Sequence, residues 1–246
     1  AEPFGDPDFY YELYPPWGSF KYPETAYGVM SWWDYGYWIM EISHRIPNSN
    51  PSQARAVEAA RFFIAQNESS ANELADKLGS KYVIIDHAMV TGKFYAMPEW
   101  AGSSKEDFYE IYYQRTQDGK LEPIALFYPA YYNSTVVRLY NFDGKAQTPT
   151  ESIVISYEDK VTWTGLSYKE ITSWKSFPAY EDAQAYILSQ EPGNYKIVGT
   201  TPFITPVALE ELKSYKLVHE SDAKVTMADK SLPSVKIFEY LGSGES

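Results

Sequence analysis

Residues 32–36 read Trp-Trp-Asp-Tyr-Gly, a run that sets two obligate donors beside one acid. An indole N–H can only donate, and an ionised carboxylate can only accept. A hydroxyl does both, donating once and accepting twice. Trp32, Trp33 and Asp34, aimed at one point, would therefore saturate a single bound hydroxyl. Tyr35 adds a phenol, and Gly36 permits close backbone approach. A lone Trp-Trp pair reads more simply as a buried aromatic cluster. The full pentapeptide reads as a site.

A second stretch, Asp86-His87-Ala88-Met89-Val90-Thr91-Gly92-Lys93-Phe94-Tyr95-Ala96-Met97, places an acid and a cation among methionines. Four residues are close to one helical turn, so Asp86, Met89, Lys93 and Met97 are expected on one helix face. Asp86 beside His87 is a mild candidate for supporting a site. His44, His87 and His219 are scattered and show no spacing that would clamp a metal on a helix. With 0 cysteines, a disulfide framework, a thiolate metal site and a Cys nucleophile are all excluded. Paired carboxylates of the glycosidase kind stay open, because the fold sets their separation.

Trp32-Trp33-Asp34-Tyr35-Gly36 resembles the signature motif of the oligosaccharyltransferase catalytic subunit, the enzyme of protein N-glycosylation. The flanks Tyr27-Gly28-Val29-Met30-Ser31 and Tyr37-Trp38-Ile39 fit as well. The stretch from Asp86 to Met97 is similar to the family's second motif, which commonly reads Asp-x-x-Lys-x-x-x-Met/Ile. Here Met89 stands where that Lys is expected and Lys93 follows four residues later, like the variant with a four-residue insertion in some archaeal members. Later blocks, Val137–Gly144, Tyr215–Glu220 and Val235–Tyr240, extend the resemblance along nearly the whole chain.

The resemblance implies a soluble C-terminal domain on the extracytoplasmic face of a multi-pass membrane protein, with the membrane region preceding Ala1. Its partners would be an acceptor polypeptide carrying Asn-X-Ser/Thr, a lipid-linked oligosaccharide donor and its own transmembrane region. Trp32, Trp33, Asp34, Tyr35 and Gly36 would hold the acceptor hydroxyl. Met97 is the candidate to touch a threonine methyl and Lys93 to line the pocket, with Asp86 and Met89 in the same substrate-binding set. The family activates the asparagine amide with carboxylates and Mn²⁺ or Mg²⁺ that lie mainly in the membrane region. No catalytic residue and no metal ligand is therefore assigned within this chain, and the isolated domain is expected to be inactive. The rival reading is a secreted carbohydrate-binding module that stacks sugars on Trp and Tyr.

Composition narrows the field. The chain has 246 residues and is 44% hydrophobic, enough for a substantial core rather than disorder. It is 17% aromatic, with 23 Tyr and 7 Trp, a palette that suits interfaces and sugar- or peptide-binding surfaces. A net charge of −12 argues against nucleic acid and against electrostatic attachment to an anionic bilayer. No stretch approaches the roughly 20 apolar residues that span a membrane, and no signal peptide is evident. Two sequons, Asn67-Glu68-Ser69 and Asn133-Ser134-Thr135, are possible acceptor sites of its own.

The elements that must position these residues are legible in outline. Residues 1–26 read as an irregular entry segment. Asn50-Pro51 suggests a helix start, with Ala54, Val57, Ala60 and Ile64 on one face and an end near Asn67. Ser70 and Glu73 suggest a capping box for a second helix, stopped by Gly79. Tyr82–Ile85 reads as a buried strand delivering Asp86. Residues 105–115 read as helix, and Ala130–Tyr140 sits between strand propensity and the helix that the resemblance implies. Beyond Glu151 the pattern turns to strands at 153–155, 195–198, 216–218 and 235–240, interrupted by a helix near 181–190; the terminal Gly242–Ser246 reads as a tail. The expectation is a mixed α+β fold. Residues 1–150 would form a helix-rich core with both motifs, and 151–246 a smaller β-rich portion packed with it.

Overall fold

The computed structural model describes residues 25–244; the entry segment read over 1–26 lies almost wholly outside them. The first half contains β1 (Gly28–Met30), α1 (Gly36–Ser43), β2 (Ile46–Pro47), α2 (Ala56–Ile64), α3 (Glu68–Lys77), β3 (Ser80–Asp86), α4 (Ala96–Ala101), β4 (Tyr109–Arg115), β5 (Leu121–Phe127), α5 (Pro129–Asn133) and α6 (Thr135–Phe142). The second half adds β6 (Ser152–Val161), β7 (Ser167–Phe177), α7 (Tyr180–Leu188), β8 (Tyr195–Val198), β9 (Tyr215–Glu220), β10 (Lys224–Met227), β11 (Lys230–Pro233) and β12 (Val235–Tyr240).

The fold is mixed α/β, built on two five-stranded mixed sheets. One runs β2-β1-β3-β12-β9, with β1 parallel to both β2 and β3, and β12 antiparallel to its neighbours. The other runs β5-β4-β7-β6-β8, antiparallel except where β4 meets β7. Each sheet takes strands from both sides of residue 150. Strands are therefore not confined to the C-terminal portion.

The largest correction to the sequence reading is at residues 105–115. Only Lys105–Asp107 turns, as a 3₁₀ segment, and Tyr109–Arg115 is strand β4. Tyr and Ile favour a pleated surface, and β5 supplies a full-length antiparallel partner from Tyr109↔Phe127 to Arg115↔Leu121. A local helix could not bury Tyr112 against Leu126, Ile155 and Ile171, as the second sheet's core does. At Ala130–Tyr140 the helical alternative holds, as α5 and α6 divided at extended Ser134.

Helix α2 starts at Ala56, later than Asn50-Pro51 suggested, because Asn50 Oδ1 accepts from Ser52 N and closes a turn of its own. Its inner face is Ala56, Ala59, Ala60 and Phe63, while Val57 is exposed. Helix α3 is capped by Asn67, whose side chain accepts from Ser70 N at 2.9 Å, so Ser70 is not the cap. Gly79 follows at φ +61°, the left-handed stop the sequence indicated. Of the two sequons, Asn67 is thus engaged as a cap, and Thr135 is buried with its hydroxyl on Ala65 O.

The main core gathers α2, α3, α4 and α6 against β3 and β12. One buried side chain clamps the parallel strands that carry the site. Asn48 donates to Leu78 O at 2.6 Å and accepts from Ser80 Oγ at 2.9 Å. A Cβ at Gly28 would fall 2.2 Å from Asn48 Nδ2, so this clamp requires glycine there. Losing the amide would strand buried polar groups at about 1–3 kcal/mol each.

Candidate functional site

The site forms where the parallel strands β1 and β3 end. Chain leaving β1 passes through Ser31 and extended Trp32 into a 3₁₀ turn, Trp33–Tyr35, and then α1. Ser31 Oγ donates to Ile84 O at 2.9 Å and Ser49 Oγ donates to Ser31 O at 3.0 Å, fixing this exit to β3 and to the segment after β2. Gly36 starts α1 against Ser49 and Asn50, where a Cβ would lie 2.4 Å from Ser49 O. From the neighbouring strand, Asp86 emerges at the end of β3, and its Oδ1 accepts from Met89 N at 3.0 Å to cap the next 3₁₀ turn, His87–Val90. The carboxyl ends of adjacent parallel strands are a recurrent place for ligand sites.

Four side chains from the two motifs connect there. Lys93 Nζ donates to Asp34 Oδ2 at 2.5 Å and to the Tyr35 hydroxyl at 2.6 Å. The Tyr35 hydroxyl in turn donates to Asp86 Oδ2. The ammonium also lies 3.9 Å from the Tyr35 ring centroid, within cation–π range. Burial, then the hydrogen bond to Asp86, then the charges of Asp86 and Asp34 hold the Tyr35 phenol far above its ordinary pKa. Tyr35 is thus a neutral relay, accepting from the cation and donating to the second acid.

The chain Asp34–Lys93–Tyr35–Asp86 leaves two atoms unmatched. Trp33 Nε1 and Asp34 Oδ1 are buried with no hydrogen-bond partner among the described residues. An orphaned buried polar atom costs about 1–3 kcal/mol, and here a donor and an acceptor are orphaned on consecutive residues of one turn. Their chemical complement is a hydroxyl, which accepts from the indole and donates to the carboxylate. The Nδ1 atom of His87, which follows Asp86 in sequence, is also buried with no hydrogen-bond partner among the described residues.

Trp33, Asp34, Tyr35, Asp86 and Lys93 are therefore brought together. Trp32 is not equivalent to Trp33: it is 3% exposed and belongs to the core, its ring 6.2 Å from Trp33 and 6.5 Å from Trp100. Met89 and Met97 are fully buried in the same core. The single helix face expected for Asp86, Met89, Lys93 and Met97 does not form. Asp86 ends a strand, Met89 lies in the 3₁₀ turn and Met97 in α4. Several intervening backbone bonds run three residues back, Thr91 N to Ala88 O, Phe94 N to Thr91 O and Met97 N to Phe94 O, as in a 3₁₀ turn, but Lys93 N reaches five back to Ala88 O at 2.8 Å. This irregular run, broken at Thr91 (φ −126°, ψ −105°), puts the Lys93 ammonium on Asp34 while Met89 and Met97 are buried in the core.

Trp100 was not singled out from sequence. Its ring lies 6.1 Å from Trp33 and completes an aromatic triad that orients the Trp33 indole. No local signal marks it, since the partner rings are 67–68 positions earlier in the chain. Beside the polar chain is a hollow of about 490 Å³ with Tyr35 and Asp86 on its rim and Trp38, Ile39, Ile42 and Ile237 among its apolar walls. Hollows of about 580 and 620 Å³ lie elsewhere, by α7 and by α3. Trp33 and Asp34 do not line this hollow, which meets the polar chain at Tyr35 and Asp86.

The donor set does not fit a divalent ion. Asp34 and Asp86 are joined through an ammonium and a phenol, so a cation already stands between them. No group of three His, Cys, Asp or Glu side chains converges among the described residues. Nor is any helix among them long and apolar enough to cross a membrane.

Comparison with known proteins places these features in a wider frame. The family model of the AglB core domain matches residues 5–90, the segment that includes the pentapeptide. The chain is 32% identical over 235 residues to the dolichyl-monophosphooligosaccharide–protein glycotransferase AglB of Haloferax volcanii, covering 87% of this chain and 22% of that protein. It is 31% identical over 268 residues to dolichyl-phosphooligosaccharide-protein glycotransferase 3 of Archaeoglobus fulgidus, covering 94% of this chain and 29% of that protein. The chain thus spans between a fifth and a third of the length of these relatives. Its fold is shared with a crystal structure of the Archaeoglobus fulgidus oligosaccharyltransferase tethered through a disulfide bond to an acceptor peptide containing the NVT sequon. The TM-score is 0.55 at 23% identity, over 95% of this chain and 30% of that one.

Proposed function

From the premise that the chain belongs to the archaeal AglB oligosaccharyltransferase family, we propose that it holds the Ser or Thr hydroxyl of an Asn-X-Ser/Thr acceptor. The observation that carries this reading is the orphaned pair. Trp33 Nε1 donates to the acceptor hydroxyl, which donates to Asp34 Oδ1, and both unpartnered atoms are satisfied by one group. Lys93 keeps the other carboxylate oxygen, so only one face of Asp34 is offered. Tyr35 passes the restraint on Lys93 to Asp86 and ties the turn after β1 to the end of β3. The acceptor chain lies along the hollow beside Tyr35 and Asp86. Trp32 and Met97 act from the core, holding Trp33 and the segment that bears Lys93 in register.

The whole enzyme transfers an oligosaccharide from a lipid-linked donor to asparagine at the extracytoplasmic face of the membrane. The metal that serves this step, Mn²⁺ or Mg²⁺, belongs to parts of the enzyme outside this chain, whose Asp34 and Asp86 are already occupied by Lys93 and Tyr35. The chain alone chooses the acceptor and does not turn over. The carbohydrate-module alternative finds less support, since Trp32, Trp33 and Trp100 pack on one another and present no common stacking platform.

The test compares Asn-X-Thr and Asn-X-Val peptides as substrates of the full-length enzyme. Valine keeps the shape and deletes the hydroxyl, and sites built to hydrogen-bond a hydroxyl reject such analogues by roughly 10⁴-fold. Comparable transfer to both peptides would sink the reading. Transfer by the isolated chain would sink the division of labour.

A further inference from the structure

Strands β6 and β7 form a hairpin whose tip runs against the ordinary distribution of apolar residues. Trp163 is 97% exposed, Leu166 70% and Val161 68%, all on one turn. The run Val161-Thr162-Trp163-Thr164-Gly165-Leu166-Ser167-Tyr168 contains no charge, in a chain that is 22% charged. Behind it stands a charged collar, with Glu158 opposite Glu170, Asp159 opposite Lys169, and Lys160 opposite Tyr168. The turn is well held. Thr162 N donates to Leu166 O at 2.8 Å, Gly165 N to Thr162 O at 2.9 Å and Leu166 N to Thr162 Oγ1 at 3.0 Å, with Gly165 at φ +88°. The exposed side chains are thus presented on a fixed turn.

We propose that this tip is an interfacial membrane anchor that dips into the headgroup region of a bilayer. A prong exposed on every side fits a medium that surrounds it. Three side chains fall far short of the roughly 800 Å² per partner that a stable protein interface buries. Tryptophan concentrates where an apolar ring body meets water, with its N–H kept wet. Trp163 lies three residues beyond Lys160, the last charged residue of β6, at most about 10 Å away at strand rise, a reach that suits the ~5–10 Å depth of interfacial insertion. An uncharged tip on a chain of net charge −12 is suited to zwitterionic lipid, and its binding is insensitive to salt. One small anchor binds weakly and reversibly, enough to orient a domain beside a membrane. The inference goes beyond acceptor recognition and takes from it only that a lipid-linked donor brings a bilayer within reach.

The experiment mixes the intact chain with phosphatidylcholine vesicles whose acyl chains carry bromine, and follows tryptophan emission and co-sedimentation. The wild-type protein is expected to show a quenched component that Trp163→Phe abolishes, with the other six tryptophans unchanged. Leu166→Asp, which keeps the tryptophan and charges the tip, is expected to lower co-sedimentation at least fivefold at any salt concentration. Emission indifferent to brominated lipid, or quenching undiminished in Trp163→Phe, overturns the anchor and leaves the tip to a protein partner. Both substitutions lie at exposed positions, and unchanged circular dichroism checks the fold. Acceptor discrimination is read in a separate peptide assay, so failure there and failure here are distinct results.

Discussion

Lys93 Nζ lies 2.5 Å from Asp34 Oδ2, and this contact splits one carboxylate into two unequal oxygens. Oδ2 is committed to the cation, while Oδ1, like Nε1 of the preceding residue Trp33, is buried with no hydrogen-bond partner among the described residues. The ion pair therefore orients the acid and leaves one acceptor lone-pair set for a ligand.

Trp33 and Asp34 should fail differently. Trp33→Phe removes one neutral donor, worth about 0.5–1.5 kcal/mol, and should cut kcat/KM for Asn-X-Thr transfer by the full-length enzyme roughly 2- to 12-fold. Asp34→Asn removes a charged acceptor, worth about 1.5–3 kcal/mol, and should cost roughly 10- to 150-fold. An acceptor lacking the hydroxyl should be nearly indifferent to Trp33→Phe. Steady-state transfer with the two peptides measures both ratios.

Lys93→Met deletes the cation between Asp34 and Asp86. The two side chains of the pair are 29% and 32% exposed, between the surface and buried cases. The expected loss of stability is about 1–2 kcal/mol, above the ~0–1 of exposed pairs and below the ~3–5 of breaking buried ones. Urea denaturation of the chain reads this. Transfer should fall as well, because Asp34 loses its orienting partner.

At Gly36 the limit is steric. An alanine Cβ would meet Ser49 O at 2.4 Å and Asn50 Cα at 2.5 Å, both backbone, which cannot rotate away. Gly36→Ala should cost about 1–3 kcal/mol by overpacking. Because the displaced turn carries Trp33 and Asp34, acceptor discrimination should weaken even at temperatures where the variant is folded. A variant with wild-type stability would show that the turn has slack.

Alkaline pH should unfold the chain through its tyrosines. Burial is the leading cause that raises Tyr35, Tyr132 and Tyr215 well above the ordinary range, and it pushes Tyr140 up to about 12. Folded-state pKa values above the unfolded value of about 10 mean that the native state holds protons which the unfolded state releases. Stability is then fully present below about pH 10 and falls as pH rises toward the folded values. Ultraviolet titration should show an exposed set of tyrosines ionising first and a buried set ionising only with loss of circular dichroism. A single set titrating near pH 10 in the folded chain would contradict this.

The sequence by itself determined which residues could do chemistry. Donor, acceptor and glycine are properties of residue type, so Trp32, Trp33, Asp34 and Gly36 could be named from sequence as candidates to hold a hydroxyl before any fold was known. Strand β3, the stop at Gly79 and strands β6, β8, β9 and β12 were legible too, because short apolar runs and punctuating glycines are local signals, whereas β7, β10 and β11 went unread. Helix starts were misplaced at Asn50 and Ser70, since any nearby Asx or hydroxyl side chain can cap, and backbone geometry selects which one does. Residues 109–115 are strand because β5 pairs with them, and Asp86 to Met97 is not one helix, because Lys93 pairs with Asp34 while Met89 and Met97 pack in the core. Only the tertiary structure could separate Trp32 from Trp33, identical in type and adjacent in sequence, by packing one in the core and leaving the other's buried N–H without a partner among the described residues. Whether a donor is spent or spare depends on neighbours brought from distant parts of the chain, here Trp100, Lys93 and Asp86.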